Sequence, residues 1–315
     1  DQQRRVGSND RRCWVHSYRK TNGLYASITE EIINLNKLKT ITFGHSPDAD
    51  DAFMFYGLAK EIVKIEGYKI DHKMADIQTL NELAVNGELP VTAISAAHYP
   101  NVSDHYRIMS CGASIGRNYG PVIVSKDSIT MSKLSGRTVA IPGSHTTSWL
   151  LYQIFCPTDI TPIFVEFNQI EKLVTSGKVD AGILLHEGQI LYKNWGLKLV
   201  LDLGKHWFTQ TGLPIPLGLD VVNRNLGKDL SFKVTNSLKQ SIEYAHSNED
   251  KALEYALGFG RGIEKEDGRK FVRMYVNTDT VNMGLEGISA LKRLFSMAVD
   301  KGIIKTVPPL DIVQV

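Results

Sequence analysis

Between Thr138 and Glu187 the chain alternates short apolar runs with amphipathic segments: TVAIPG (138–143), TTSWLLYQIF (146–155), TPIFVEF (161–167), NQIEKLVTSG (168–177) and AGILLHE (181–187). This β-α-β-α-β rhythm admits few folds, because strands joined through a helix run parallel and each crossover is right-handed. Helices then cover both faces of the sheet, so its strands are continuously apolar and do not alternate. The first half repeats the pattern. TITFGHS (40–46) reads as strand, DDAFMFYGLAKEIV (50–63) as helix, YKIDHKMA (68–75) as strand, IQTLNELAVNG (77–87) as helix and VTAIS (91–95) as strand. RIMSCGASIG and GPVIVSK read as extended, as do LKLVLDLG and PLGLDVVN, with Pro214 and Pro216 around the start of the last. Helices are expected at 228–247, 249–263, 267–276 and 284–300.

Two such modules, with crossovers at GPVIVS and PIPLGLDVV, predict a discontinuous α/β domain of 40–120 plus 217–315 and an inserted α/β domain of 121–216. Two lobes joined by two strands leave a cleft, the usual place for a small ligand. The 315 residues are enough for two cores. A net charge of +2 gives no footprint for nucleic acid or an anionic membrane. Three cysteines, Cys13, Cys111 and Cys156, without a CxxC pair, argue against a disulfide framework or zinc ribbon and fit a reducing compartment. No run approaches the roughly 20 apolar residues of a membrane span. Residues 1–39 are Arg-rich, lack the apolar region of a secretory signal, and are expected to be poorly structured. A cytoplasmic protein is the expectation, and the sequence leaves a homodimer open.

Several strand ends carry candidate chemistry. Ser46 and Asp48 follow the first strand, where they either cap the next helix or line the cleft. IPGSHTTSWLL turns tightly at Gly143 and offers Ser144, Thr146 and Thr147 beside the free N–H groups of a helix start, an arrangement suited to a carboxylate or phosphate or to simple capping. Ser95 ends the third strand. Arg117, in GASIGRNYGP, either clamps a substrate carboxylate or lies in solvent. Walker, GxGxxG and HExxH patterns are absent, so no nucleotide, metal or other cofactor is expected. GASIG (112–116) fits GxSxG in letters but lies in a run that reads as extended, not in the strand-to-helix turn of a serine nucleophile. His186, closing the run AGILLHE beside Glu187, is the best placed acid–base group; the competing reading is a structural histidine hydrogen-bonded in the core.

Together SPDADDAFMF, IPGSHTTSWLL, VDAGILLHEG, GLPIPLGLDVV and MYVNTDTVNMGLEG resemble the 1,4-dihydroxy-6-naphthoate synthase family of the futalosine route to menaquinone, over about residues 40 to 315. The resemblance implies a two-lobed, type 2 periplasmic-binding-protein-like fold and cofactor-free lysis of cyclic dehypoxanthinylfutalosine, a small carboxylated aromatic substrate. It places the family's histidine base on His186, its paired threonines on Thr146 and Thr147, and its serines on Ser95 and Ser46. One departure stands out: well-known members carry Ser-Pro-Cys-Pro-Asn-Asp where this chain has Ser46-Pro47-Asp48-Ala49-Asp50-Asp51, which adds negative charge at the cleft. The rival readings are a solute-binding protein of the same fold for a small organic anion, and the sibling chorismate dehydratase.

Overall fold

The computed structural model describes residues 38–259 and 264–315, so the expected leader falls outside it except at residues 38 and 39. Most of the chain, 41–65 with 70–315, forms one body. The described part of the remaining small unit is 38–40 and 66–69, where the Lys39 N–H donates to the Gly67 carbonyl at 3.3 Å.

The chain first lays down β1 (Lys39–His45), α1 (Ala49–Met54), β2 (Tyr68–Met74), α2 (Ile77–Val85), β3 (Val91–Ser95), β4 (Tyr106–Met109) and β5 (Ser114–Gly116). It continues through β6 (Val122–Ser125), β7 (Thr138–Ile141), α3 (Thr147–Phe155), β8 (Thr161–Phe164), α4 (Phe167–Thr175), β9 (Ala181–Leu184), α5 (Gly188–Leu191), β10 (Lys198–Asp202) and α6 (Leu203–Thr211). It then returns through β11 (Ile215–Asn223) to α7 (Gly227–Ser247), α8 (Glu249–Leu257), α9 (Lys265–Tyr275), α10 (Thr278–Val281), α11 (Gly284–Asp300) and β12 (Ile312–Val313). One sheet has the order β12-β4-β11-β3-β1-β2, with β5 also on β11; the other has the order β10-β6-β9-β7-β8.

The sheets are mixed, where the β-α-β rhythm predicts parallel strands. β1 with β3, β7 with β8 and β9, and β4 with β12 are parallel. β11 runs antiparallel to β3, β4 and β5, and β6 antiparallel to β9 and β10. β6 and β11 are the strands by which the chain enters each sheet from the other. No helical crossover within their own sheet precedes them, so the handedness rule does not set their direction.

Two helices differ from expectation. The helix expected over 50–63 ends at Met54, with one further turn at Tyr56–Ala59, and Glu61 adopts φ 55°. Ser241 of α7 is inserted there: its hydroxyl donates to the Met54 carbonyl (2.7 Å) and accepts the Leu58 N–H (3.2 Å), which interrupts the helical ladder. The run LKLVLDLG turns into α6 after Asp202, whose carboxylate caps the Lys205 N–H at 2.9 Å, and Gly212 at φ 69° closes the helix.

Gly204, in the first turn of α6, sits against the backbone of the β5–β6 crossover. A Cβ there would lie 2.1 Å from the Tyr119 carbonyl carbon and oxygen and 2.3 Å from the Gly120 nitrogen. Backbone cannot rotate aside as a side chain can, so Gly204→Ala is expected to destabilise by about 3 kcal/mol or more. Urea unfolding should show the midpoint falling with the slope unchanged.

Candidate functional site

Both sheets contribute to a cleft with about 760 Å³ of free space, counting its open mouth. The ends of β1 and β3 bring Ser46, Asp48 and Ser95; the start of α3 brings Thr146, Thr147 and Ser148; the turn after β9 brings His186. These are the strand ends at which open α/β sheets present ligand-facing groups. Six of the eight residues singled out from the sequence therefore share one cavity.

Arg117 and Ser144 are not among the lining residues. The Arg117 guanidinium is occupied elsewhere: Nε and Nη2 grip Asp279 at 2.7 and 2.8 Å, and Nη2 also reaches Glu286 at 2.7 Å. Asp279 is buried, so this fork fixes α10 and α11 to the crossover and commits Nε and Nη2 to structure, away from the cleft lining. Ser144 is exposed one residue past the Gly143 turn.

Thr146 and Thr147 have mainly structural roles. Thr146 Oγ1 donates to the Gly143 carbonyl (2.8 Å) and caps the Trp149 N–H (3.3 Å). Thr147 Oγ1 donates to the Leu217 carbonyl (2.7 Å) and accepts the Ala97 N–H (3.1 Å). Their hydroxyls hold the start of α3 between β3 and β11, and the first-turn N–H groups of α3 are what remain for an anion. Ser95 is positioned similarly by Asn81, which accepts its N–H at 2.9 Å and donates to its hydroxyl at 3.1 Å.

His186 lies two residues beyond β9 at φ 50°, a left-handed conformation that costs a non-glycine residue about 1–2 kcal/mol. The surroundings enforce it. Gln189, with its amide oriented to satisfy its neighbours, accepts the His186 N–H at 3.1 Å and the Tyr275 hydroxyl at 2.9 Å, and donates to the Gly120 carbonyl at 2.5 Å. The imidazole packs beside Phe167, with ring centroids 4.8 Å apart, and its Nδ1 lies 3.3 Å from Asp48 Oδ2. The side chain remains 18% exposed, so the ring is neither sealed in the core nor loose in solvent.

Asp48 is almost fully buried and caps α1 through Oδ1, which accepts the Asp51 N–H at 3.3 Å. Burial alone would raise its carboxyl. The His186 imidazole, with hydrogen bonds from Asp50, Ser46 and the Asp51 N–H, outweighs burial and leaves the carboxyl below its ordinary range. Its neighbours go the other way. Burial, then the charges of Asp48 and Asp51, raise Asp50 well above the carboxylate range; burial, then Asp48 and Asp220, raise Asp51. Asp220 on β11 is pushed up to about 8 by burial. Among the described residues the cleft lining contains four aspartates and no lysine or arginine.

Asp50 Oδ1 and Asp220 Oδ1 are buried without hydrogen-bond partners. One donor atom from each of Asp48, Asp50 and His186 lies within 4.8 Å of the others, a set that could hold a divalent ion. The expectation of no metal rests on spacing along the chain, and this set joins His186 to two aspartates 136 and 138 positions before it. Sequence reasoning also missed Asp220, Gln189 and Tyr275 as cleft residues. A lone aspartate inside the apolar strand LGLDVV was a signal for the first; nothing local marks the other two.

Two α/β sheets, crossed twice by the chain, with polar groups gathered at strand ends around one cleft, define a protein of the periplasmic-binding-protein-like fold. The periplasmic aliphatic sulphonate-binding protein of Escherichia coli shares that fold, with a TM-score of 0.61 at 11% identity over 86% of this chain and 90% of that one. Within this class the chain belongs to the menaquinone biosynthesis family, whose sequence profile matches residues 41–300. It is 33% identical to a 1,4-dihydroxy-6-naphthoate synthase of Thermus thermophilus over 86% of this chain and 98% of that protein. A crystal structure of an Archaeoglobus fulgidus protein is 44% identical, covers 84% of this chain and 98% of its own, and has a TM-score of 0.81.

Proposed function

We propose that this chain is a cofactor-independent carbon–carbon lyase of menaquinone biosynthesis. In this reading it converts cyclic dehypoxanthinylfutalosine to 1,4-dihydroxy-6-naphthoate and a three-carbon sugar fragment in the cytoplasm. The observation that carries the reading is a solvent-reachable imidazole, His186, in the same cleft as the α3 N-terminus. His186 removes a proton from the bound substrate and aromatisation drives bond cleavage. The α3 N–H groups, in a cleft whose described lining has no lysine or arginine, are donors available for the substrate carboxylate. General base catalysis supplies about 10²–10⁴-fold, so orientation within the cleft carries much of the remaining acceleration.

Incubating the purified protein with cyclic dehypoxanthinylfutalosine and following naphthoate by mass spectrometry tests this directly. Product formation supports the lyase. Tight binding with no product would instead favour a solute-binding protein of the same fold.

A further inference from the structure

We infer that Asp48 is the positioning residue for His186: its carboxylate accepts the Nδ1–H and so holds the imidazole with the Nε2 lone pair free for substrate. The inference rests on the lyase reading above and deepens it. Helix capping uses only Asp48 Oδ1, which accepts the Asp51 N–H; Oδ2 faces His186 Nδ1 at 3.3 Å across a separation of 138 residues. Capping therefore explains one oxygen and does not account for the approach of the other to the histidine.

The geometry suits orientation. Asp48 is 1% exposed and anchored by Ser46, Asp50 and the Asp51 N–H, so its position is set by α1 and not by solvent. His186 is fixed from its other side by Gln189 at the backbone and Phe167 at the ring. A neutral imidazole carries one proton, and whichever nitrogen holds it cannot act as base. With a carboxylate at Nδ1 the proton stays there, and the imidazolium formed after proton abstraction is stabilised by the same contact.

Asp48→Asn removes the charge and keeps a residue that caps as well as aspartate does, so the fold should persist. The expected result is a kcat lower by about 10²-fold or more with KM within about threefold, since the binding groups are untouched. The second readout needs no turnover. In ¹⁵N-histidine-labelled protein, with the His186 signals assigned by their loss in His186→Asn, native His186 should show the Nδ1–H tautomer, and Asp48→Asn should shift the population toward Nε2–H. Native protein without turnover would refute the lyase reading, while the tautomer measurement would still decide the inference. The same tautomer population in both proteins, or unchanged kcat in Asp48→Asn, overturns it. So does titration with Mn²⁺ or Zn²⁺ alone showing a site that turnover requires and Asp48→Asn abolishes, because Asp48 and His186 would then be ligands.

Discussion

His186→Ala is expected to lose turnover of cyclic dehypoxanthinylfutalosine by about 10²–10⁴-fold in kcat with little change in KM, the pattern of a group that acts only in the transition state. The backbone must be controlled, because alanine at φ 50° keeps the strain and loses the ring contact with Phe167. His186→Asn provides that control: asparagine is the non-glycine residue that best tolerates the left-handed region. It should unfold within about 1 kcal/mol of the native protein and be as inactive as alanine. Steady-state kinetics on both variants, beside urea unfolding, separates the two effects. Near-native turnover in either variant would remove His186 as the base.

Position 186 also shows where sequence reasoning reached and where it stopped. The apolar run GILL marks a buried strand whichever residue follows, and β9 is that strand. The run reads as closing at His186 and Glu187, whereas the strand stops at Leu184 and His186 sits in the turn beyond it at φ 50°. That Asp48 would meet Nδ1 does not follow from the sequence, because the contact depends on how β1 and β9, strands of different sheets, face each other across the cleft. Local chemistry was legible where it is local: the cap at Thr146, the strand over 91–95 and the turn at Gly143. Arg117 shows the opposite case. Its partners Asp279 and Glu286 lie more than 160 residues away, and an arginine in a glycine-rich turn reads the same whether it clamps a ligand or a helix. Strand direction fails for a related reason. The β-α-β rule governs strands joined within one sheet, and β6 and β11 arrive from the other.

Asp220→Asn should make the protein more stable at alkaline pH. In the folded chain burial holds the Asp220 carboxyl at about 8, against an ordinary 3.8 when unfolded. Between those values the folded state binds the proton and the unfolded state releases it, so the native protein loses stability as pH rises from 4 to 8. The slope approaches about 1.4 kcal/mol per pH unit, and the sum over the interval is on the order of 5 kcal/mol at most. Asparagine has nearly the same shape and no charge. The two proteins should therefore unfold alike below pH 4 and diverge above it, with the variant ahead by a few kcal/mol at pH 9 in urea titrations. Asp50 and Asp51 are raised as well and remain in both proteins, and Asp220 is one of the charges that raise Asp51, so the difference between the two curves reports Asp220 together with its coupling to Asp51. A carboxyl that destabilises its own fold, lines the cleft and leaves Oδ1 without a partner is what a ligand-binding role would retain. The same variant should then bind substrate more weakly while resisting urea better. Equal stability at every pH would show that Asp220 reaches solvent and is not the buried acid at the floor of this cleft.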